Sequence, residues 1–255
     1  MQFEKWDALG NTYLVVARPD CGVLTPDRVR RLCDPTTGIG SDGVLEVLEH
    51  EGSRGHVTIW NPDGSTAEMS GNGLRIATAW LGAVAGTQRT TVTTVDRDVP
   101  GEIHASGEVE VALGPYAVGE PEWIEVAGEA VELTPVSVGN PHAVVRCDRL
   151  VREDLLRLGP AIEVHPRFPA RTNVQLLTVV DRHAIDVLVW ERGAGETAAS
   201  GSSSVAAAGV AVARGWCESP VEVRLPGGRL TVRLTAGRAS LVGPVARVMA
   251  GSTTI

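Results

Sequence analysis

The chain has 255 residues, 31 of them acidic and 23 basic, for a formal net charge of −8. Without a run of basic residues it has nothing to collect phosphates, which excludes a nucleic-acid or anionic-membrane surface and leaves small molecules and proteins as partners. No apolar run approaches membrane-spanning length, and the opening MQFEKWDALGNTY carries charges where a leader needs an apolar core, so cytoplasmic residence is expected.

In chain order the pattern is that of many short strands with few helices. Tyr13–Arg18 reads as a strand, and Thr25 followed by Pro26 and Asp27 is an N-cap signal for a short helix to Leu32. A glycine-rich loop, GIGSDG at Gly38–Gly43, and the strand-like VLEVLEH follow, then a strand at His56–Asn61. Residues 66–81, TAEMSGNGLRIATAWL, place Ser70 ahead of a helix that is apolar nearly all round, with Leu74, Ile76, Ala77, Ala79, Trp80 and Leu81; such a helix is buried. Strands are expected at Thr90–Asp96 and Glu108–Gly114, and again at His142–Cys147. VREDLLRLG, Val151 to Gly159, has helical apolar spacing, and strands at Asn173–Asp181 and Ala184–Trp190 come next. ETAASGSSSVAAAGVAV, residues 196–212, is a second Ser-Gly pair opening an apolar helix, ahead of strands at Val221–Leu225 and Leu230–Leu234.

Ser70 and Ser200 lie 130 positions apart, and each follows a strand and a turn and precedes further strands. This implies a duplication, two α/β halves that each wrap a bent sheet around a central helix, with the boundary in the glycine- and proline-rich residues 113–123. The two buried helices are then expected to point their N-termini across the gap between the halves.

The chemistry has to be read from small polar residues. Cys21, Cys33, Cys147 and Cys217 stand singly, so no metal site and no disulfide is expected. Lys5 is the only lysine, and it precedes the first expected strand; a pyridoxal mechanism needs a lysine for its Schiff base, so any amino-acid chemistry should be cofactor-free. GIGSDG satisfies a dinucleotide-binding pattern but lacks the strand before and the helix after that such a site requires. The two Ser-Gly helix starts are better candidates, because free N–H groups and the positive end of the helix dipole attract a carboxylate. Turn-like clusters add Asn11, Asn61, Asn140, His142, Arg171, Asn173, Glu191, Arg192 and Glu196, a set suited to a small zwitterion. His142 is the first choice to move a proton because an unshifted imidazole titrates near neutrality, whereas Glu191 would need burial to raise its pKa.

Taken together, FEKWDALGNTY, GIGSDGVL, NPDGSTAEMSGNGLRIATAWL, VSVGNPHAVV, RTNVQ and ERGAGETAASGSSSVAAA closely resemble, in order and spacing, the diaminopimelate epimerase family of pyridoxal-independent amino-acid racemases and isomerases. The resemblance implies an α+β fold of two pseudosymmetric domains, each a barrel-like, mostly antiparallel sheet around a buried helix. The expected divisions are residues 1–115, 116–242, and a segment 243–255 that returns to the first half. It implies substrate contacts at Asn11, Asn61, Gly71, Asn72, Asn140, Asn173, Glu191, Arg192, Gly201 and Ser202, and is compatible with a homodimer. The chain departs from the family at two points. Family epimerases carry a cysteine at each helix start, one as thiolate base and one as thiol acid, where this chain has Ser70 and Ser200; and Pro35 stands about where relatives carry an arginine. An alcohol is a far weaker acid than a thiol. Three accounts are open: a relative diverged to another proton transfer such as double-bond isomerisation, cyclisation or elimination, using His142, Glu191 or Glu68; a diaminopimelate epimerase with both catalytic cysteines replaced by serine; or a binding protein without catalysis.

Overall fold

The computed structural model describes residues 1–95 and 97–255. They form two compact units, residues 1–112 with 243–255, and residues 113–242.

The first unit begins with a hairpin of β1 (Gln2–Ala8) and β2 (Asn11–Ala17). Its two-residue turn, Leu9 at φ 60° and Gly10 at φ 82°, holds both residues left-handed, the conformation whose twist suits adjoining strands. A four-residue turn of helix, α1 (Arg18–Cys21), follows where the sequence predicts the last residue of a strand: Pro19, at the helix start, presets φ for a helical turn. Thr25 caps α2 (Pro26–Cys33) by accepting from the Arg28 N–H at 3.3 Å. β3 (Val44–Glu51) lies parallel to β2, and β4 (Arg54–Trp60) and β5 (Thr66–Ala67) add antiparallel neighbours. After α3 (Gly71–Ala85) come β6 (Arg89–Thr93), parallel to β4, then β7 (Asp98–Ile103) and β8 (Val109–Pro115). The strand predicted for Thr90–Asp96 ends earlier, and Asp96 itself lies outside the described residues.

The second unit repeats this plan. After β9 (Ala117–Val118) and β10 (Glu122–Val126), β11 (Glu129–Ser137) pairs antiparallel with β12 (Pro141–Arg146). Helix α4 (Arg152–Glu163) carries the chain to β13 (Asn173–Asp181), parallel to β12. β14 (Ala184–Glu191) and β15 (Gly195–Thr197) lead into α5 (Gly201–Ala213), followed by β16 (Val221–Leu225), parallel to β14, then β17 (Gly228–Thr235) and β18 (Arg238–Gly243). The chain then re-enters the first unit, where β19 (Ala246–Ser252) pairs with β1. The repeat extends to register: Val44 faces Trp60 and Val174 faces Trp190.

Helix α4 runs one turn beyond the expected stop at Gly159, through Pro160 to Glu163. The ring removes one N–H bond, but the apolar stripe of Leu155, Leu158 and Ile162 keeps the turn seated on the sheet.

Each sheet is covered on both faces. In the first unit Leu14, Val16 and Val44 pack with Val29 and Leu32 of α2 on one side, while α3 contacts β1, β2, β4, β6 and β7 on the other. In the second, Ala143, Val145, Val174 and Leu176 face α4, and α5 contacts β9, β11, β12, β13, β14, β16 and β17. A helix surrounded by strands can have no polar face, which is why α3 and α5 are apolar nearly all round. Strand side chains alternate in direction, so the residues between these core positions must point toward the enclosed helix.

Gly159 tests how tightly α4 sits. A Cβ there would lie 2.7 Å from Trp190 Cγ, at the root of the indole, where the ring cannot swing aside. Alanine gains about 1 kcal/mol of helix propensity over glycine, but forcing a group into a packed core costs about 1–3 kcal/mol. Gly159→Ala is expected to lower the thermal midpoint by a few degrees, whereas an unchanged or raised midpoint contradicts this packing.

Candidate active site

Strand parity selects the site residues of each unit. On β2, Leu14 and Val16 turn toward α2, so Asn11 and Tyr13 turn toward α3. Asn72 Nδ2 donates to Asn11 Oδ1 at 3.1 Å, and the Tyr13 hydroxyl donates to Ser70 Oγ at 3.0 Å. Ser70 is the N-cap of α3, with φ −141° and ψ 117°, and its oxygen also accepts the Gly73 N–H at 3.1 Å. Gly71 and Asn72, in the first turn, are buried. Asn61 is held in its own turn, its amide donating to Ser65 Oγ at 2.9 Å; among the described residues no hydrogen bond joins it to the other predicted residues of this unit.

In the second unit the same parity turns His142, Asn173 and Gln175 toward α5. Gln175 Nε2 lies 3.1 Å from His142 Nδ1 and donates to Ser203 Oγ at 3.0 Å, while His142 Nε2 donates to Asn140 Oδ1 at 2.9 Å. Both ring nitrogens are thus engaged in a neutral imidazole, Nδ1 accepting and Nε2 donating. A cavity of about 470 Å³ opens beside it, lined by Ser137, Asn140, Pro141, His142, Arg167 and Phe168.

Asn173 braces the turn after β14: its Nδ2 donates to Pro141 O at 2.9 Å and its Oδ1 accepts the Arg192 N–H at 3.0 Å. Glu163 holds the same turn through the Trp190 indole at 2.7 Å and the Gly193 N–H at 2.9 Å. The exposed Arg192 side chain reaches Ala170 O at 3.2 Å. Glu191 is thereby fixed beside Ser200, whose hydroxyl donates to Glu191 Oε2 at 3.2 Å. Gly201 and Ser202 form the first turn of α5, Gly201 buried and Ser202 half-buried.

The two serines are therefore not equivalent. Ser70 caps its helix; Ser200 makes no side-chain cap and spends its proton on Glu191.

Burial also reverses the expected order of the two acid–base candidates. His142 is 1% exposed, and loss of hydration drives its pKa down to about 3, the hydrogen bond with Gln175 offsetting only part of that; a nearby positive charge, Arg192, lowers it further. The premise that His142 needs no shift to work at neutral pH is thus corrected. Desolvation pushes the Glu191 carboxyl up instead, against the hydrogen bond from Ser200.

Tyr13, Gln175 and Ser203 were within reach of sequence reasoning. Tyr13 follows Asn11 and Gln175 follows Asn173 at the two-residue spacing of one strand face, while Ser203 lies in the first turn of α5. Arg75 is different: it is a single charge inside a stretch read as apolar. GIGSDG leads from α2 into β3, which confirms the absence of the strand-loop-helix setting of a dinucleotide site. Lys5 donates to Gly40 O in that loop at 2.6 Å. The four cysteines are free, and among the described residues no group of three His, Cys, Asp or Glu could hold a metal ion. Among the described residues no helix is long and apolar enough to cross a membrane.

The solved structure of a hydroxyproline epimerase from Agrobacterium vitis, with trans-4-hydroxy-L-proline bound, aligns with 98% of this chain and 91% of its own, at a TM-score of 0.68 and 16% identity. This shows the fold, that of the proline racemases and diaminopimelate epimerases, built from two similar halves. The diaminopimelate epimerase profile matches residues 3–118 and 134–254. A diaminopimelate epimerase of Stutzerimonas stutzeri is 36% identical over 271 residues, covering 98% of both chains, and diaminopimelate epimerase 2 of a Nostoc species is 38% identical over 253 residues, covering 92% of this chain and 88% of its own. The chain belongs to the diaminopimelate epimerase family, and it is an isomerase of the pyridoxal-independent kind.

Two measurements check this site. Removing a serine N-cap costs about 1 kcal/mol, so Ser70→Ala should lower stability by that amount, while Ser200→Ala should leave α5 as well capped as before; equal capping losses would contradict the asymmetry. The His142 pKa is about 3 in the folded chain against 6.5 for a free imidazole. Its contribution to stability is therefore complete above pH 6.5 and is lost as pH falls from there toward 3. His142→Gln should flatten the fall of the melting temperature over that range, and an unaltered slope would show that His142 titrates normally.

Proposed function

We propose that this chain is an isomerase that moves a proton at the α-carbon of a small amino acid resembling diaminopimelate, with Glu191 acting through Ser200 on one face in place of a pair of thiols. The observation that carries this reading is the Glu191 carboxyl, its proton affinity raised by burial and the Ser200 hydroxyl donating to it at 3.2 Å. A raised carboxylate pKa makes a stronger base, matched more closely to neutral pH. In the proposed step the α-proton passes to Ser200 Oγ as the serine proton passes to Glu191 Oε2. The electron pair of the broken C–H bond stays on the substrate and is stabilised by first-turn N–H groups. His142, neutral, fixes Asn140 and Gln175 and carries no proton.

The test is incubation with LL- and meso-diaminopimelate, and with other amino acids, in D2O, following the α-proton by NMR. One-sided transfer predicts exchange faster than inversion, and a loss of about 100-fold or more in Glu191→Gln. Exchange should rise with pH through the elevated Glu191 midpoint, because the ionised form is the base. Stability should run the other way: the folded chain holds this proton more tightly than the unfolded one, so the contribution is present at low pH and lost as pH rises through the folded midpoint. Glu191→Gln should accordingly melt above the unaltered chain at pH 8 and level with it near pH 4. Inversion as fast as exchange would refute one-sided transfer. Ligand-induced thermal stabilisation without exchange on any amino acid would indicate a binding protein.

The similarity to diaminopimelate epimerases along nearly the whole chain favours a second reading, an epimerase with serine at both acid–base positions. Recovery of two-sided epimerisation in the Ser70→Cys, Ser200→Cys double variant, from a chain that exchanges nothing, would select it.

A further inference from the structure

Arg75, on α3, is the largest fully buried side chain among the described residues, at 0% exposure. Helical side chains lean toward the N-terminus, and this one folds back onto the first turn: Nη2 donates to Asn72 Oδ1 at 3.0 Å, Nη1 approaches Gly71 O at 3.4 Å, and Nε has no partner among the described residues. Burial lowers the guanidinium pKa to about 10, which leaves it charged at neutral pH. No carboxylate accompanies it among the described residues, and a buried charge without a counter-charge is costly. At the equivalent place on α5 stands Val205.

A guanidinium only donates, so it dictates the polarity of everything bonded to it. Asn72 must turn its oxygen toward Arg75 and its amide toward Asn11. Asn11 answers with its oxygen. Asn11 itself is half-buried at the end of the hairpin, and its Nδ2 remains a donor. We propose that Arg75 is a positioning residue that makes the first turn of α3 a carboxylate receptor: it orients the Asn72–Asn11 pair as donors, and the carboxylate of a bound substrate supplies the counter-charge that no described residue gives it. This rests on the reading of the site as one for an amino acid.

The positive potential can be read with a thiol introduced by Ser70→Cys, from the pH dependence of its alkylation. Burial raises the pKa of all four native thiols, so they react later in pH. The introduced thiol should ionise below about 8.5, the value of a free cysteine. Adding Arg75→Met should move its midpoint up by about one unit or more, and Arg75→Lys should restore it. A thiol introduced by Ser200→Cys should ignore both changes. Where Arg75→Met fails to fold, Asn72→Asp decides: it supplies the counter-charge internally, so it should raise the melting temperature, raise the thiol midpoint and weaken binding of meso-diaminopimelate at least tenfold by calorimetry. A midpoint at residue 70 that neither substitution moves overturns the proposal. The titration needs no substrate, so a moved midpoint with no diaminopimelate binding would refute the substrate reading while the role of Arg75 stands.

Discussion

A helix enclosed by a sheet leaves its first N–H groups without intrahelical acceptors, and the rest of this structure depends on how that deficit is met. The sides of α3 and α5 are given over to apolar packing. Apart from the buried Arg75 and Thr78 of α3, their polar groups gather in the first turns, and those turns need either a cap or a ligand. Placing Gly-Asn-Gly and Gly-Ser-Ser there keeps the backbone approachable, so helix termination and the proposed anion binding would fall on the same few residues.

The duplication repeats backbone and register but not electrostatics. In the first unit Ser70 closes the helix as an ordinary cap, with Arg75 buried behind it. In the second, the corresponding serine abandons its cap for Glu191, and the position of the arginine is taken by valine. One scaffold thus presents an excess of positive charge at one helix start and a proton-hungry carboxyl at the other. A pair of thiols would make the two ends chemically alike; the serines leave their character to their neighbours.

Dehydration sets that character. It disfavours whichever form is charged, so the same physical effect lowers an imidazole and raises a carboxyl. His142 becomes a neutral spacer linking Asn140 to Gln175, and Glu191 becomes the stronger base. Glu163 and Asn173 matter because they hold the turn that keeps Glu191 where it is dehydrated and still within reach of Ser200.

Much of this was legible in the chain. Apolar periodicity identified the two enclosed helices, alternation identified most strands, and the motifs around Ser70 and Ser200 identified the family, because these are properties of residues near one another in sequence. The short helix at Arg18–Cys21 and the continuation of α4 through Pro160 were not legible, since each depends on packing that overrides local preference. What the sequence by itself determined is which residues are available: a serine at the start of each enclosed helix, short amides in turns, one arginine in an apolar helix. Only the tertiary structure decided what they do. Proton affinity and hydrogen-bond direction depend on which groups are dehydrated and which partner lies opposite, and those neighbours, Glu191 to Ser200, Gln175 to His142 and Tyr13 to Ser70, are brought together by strand pairing and helix enclosure.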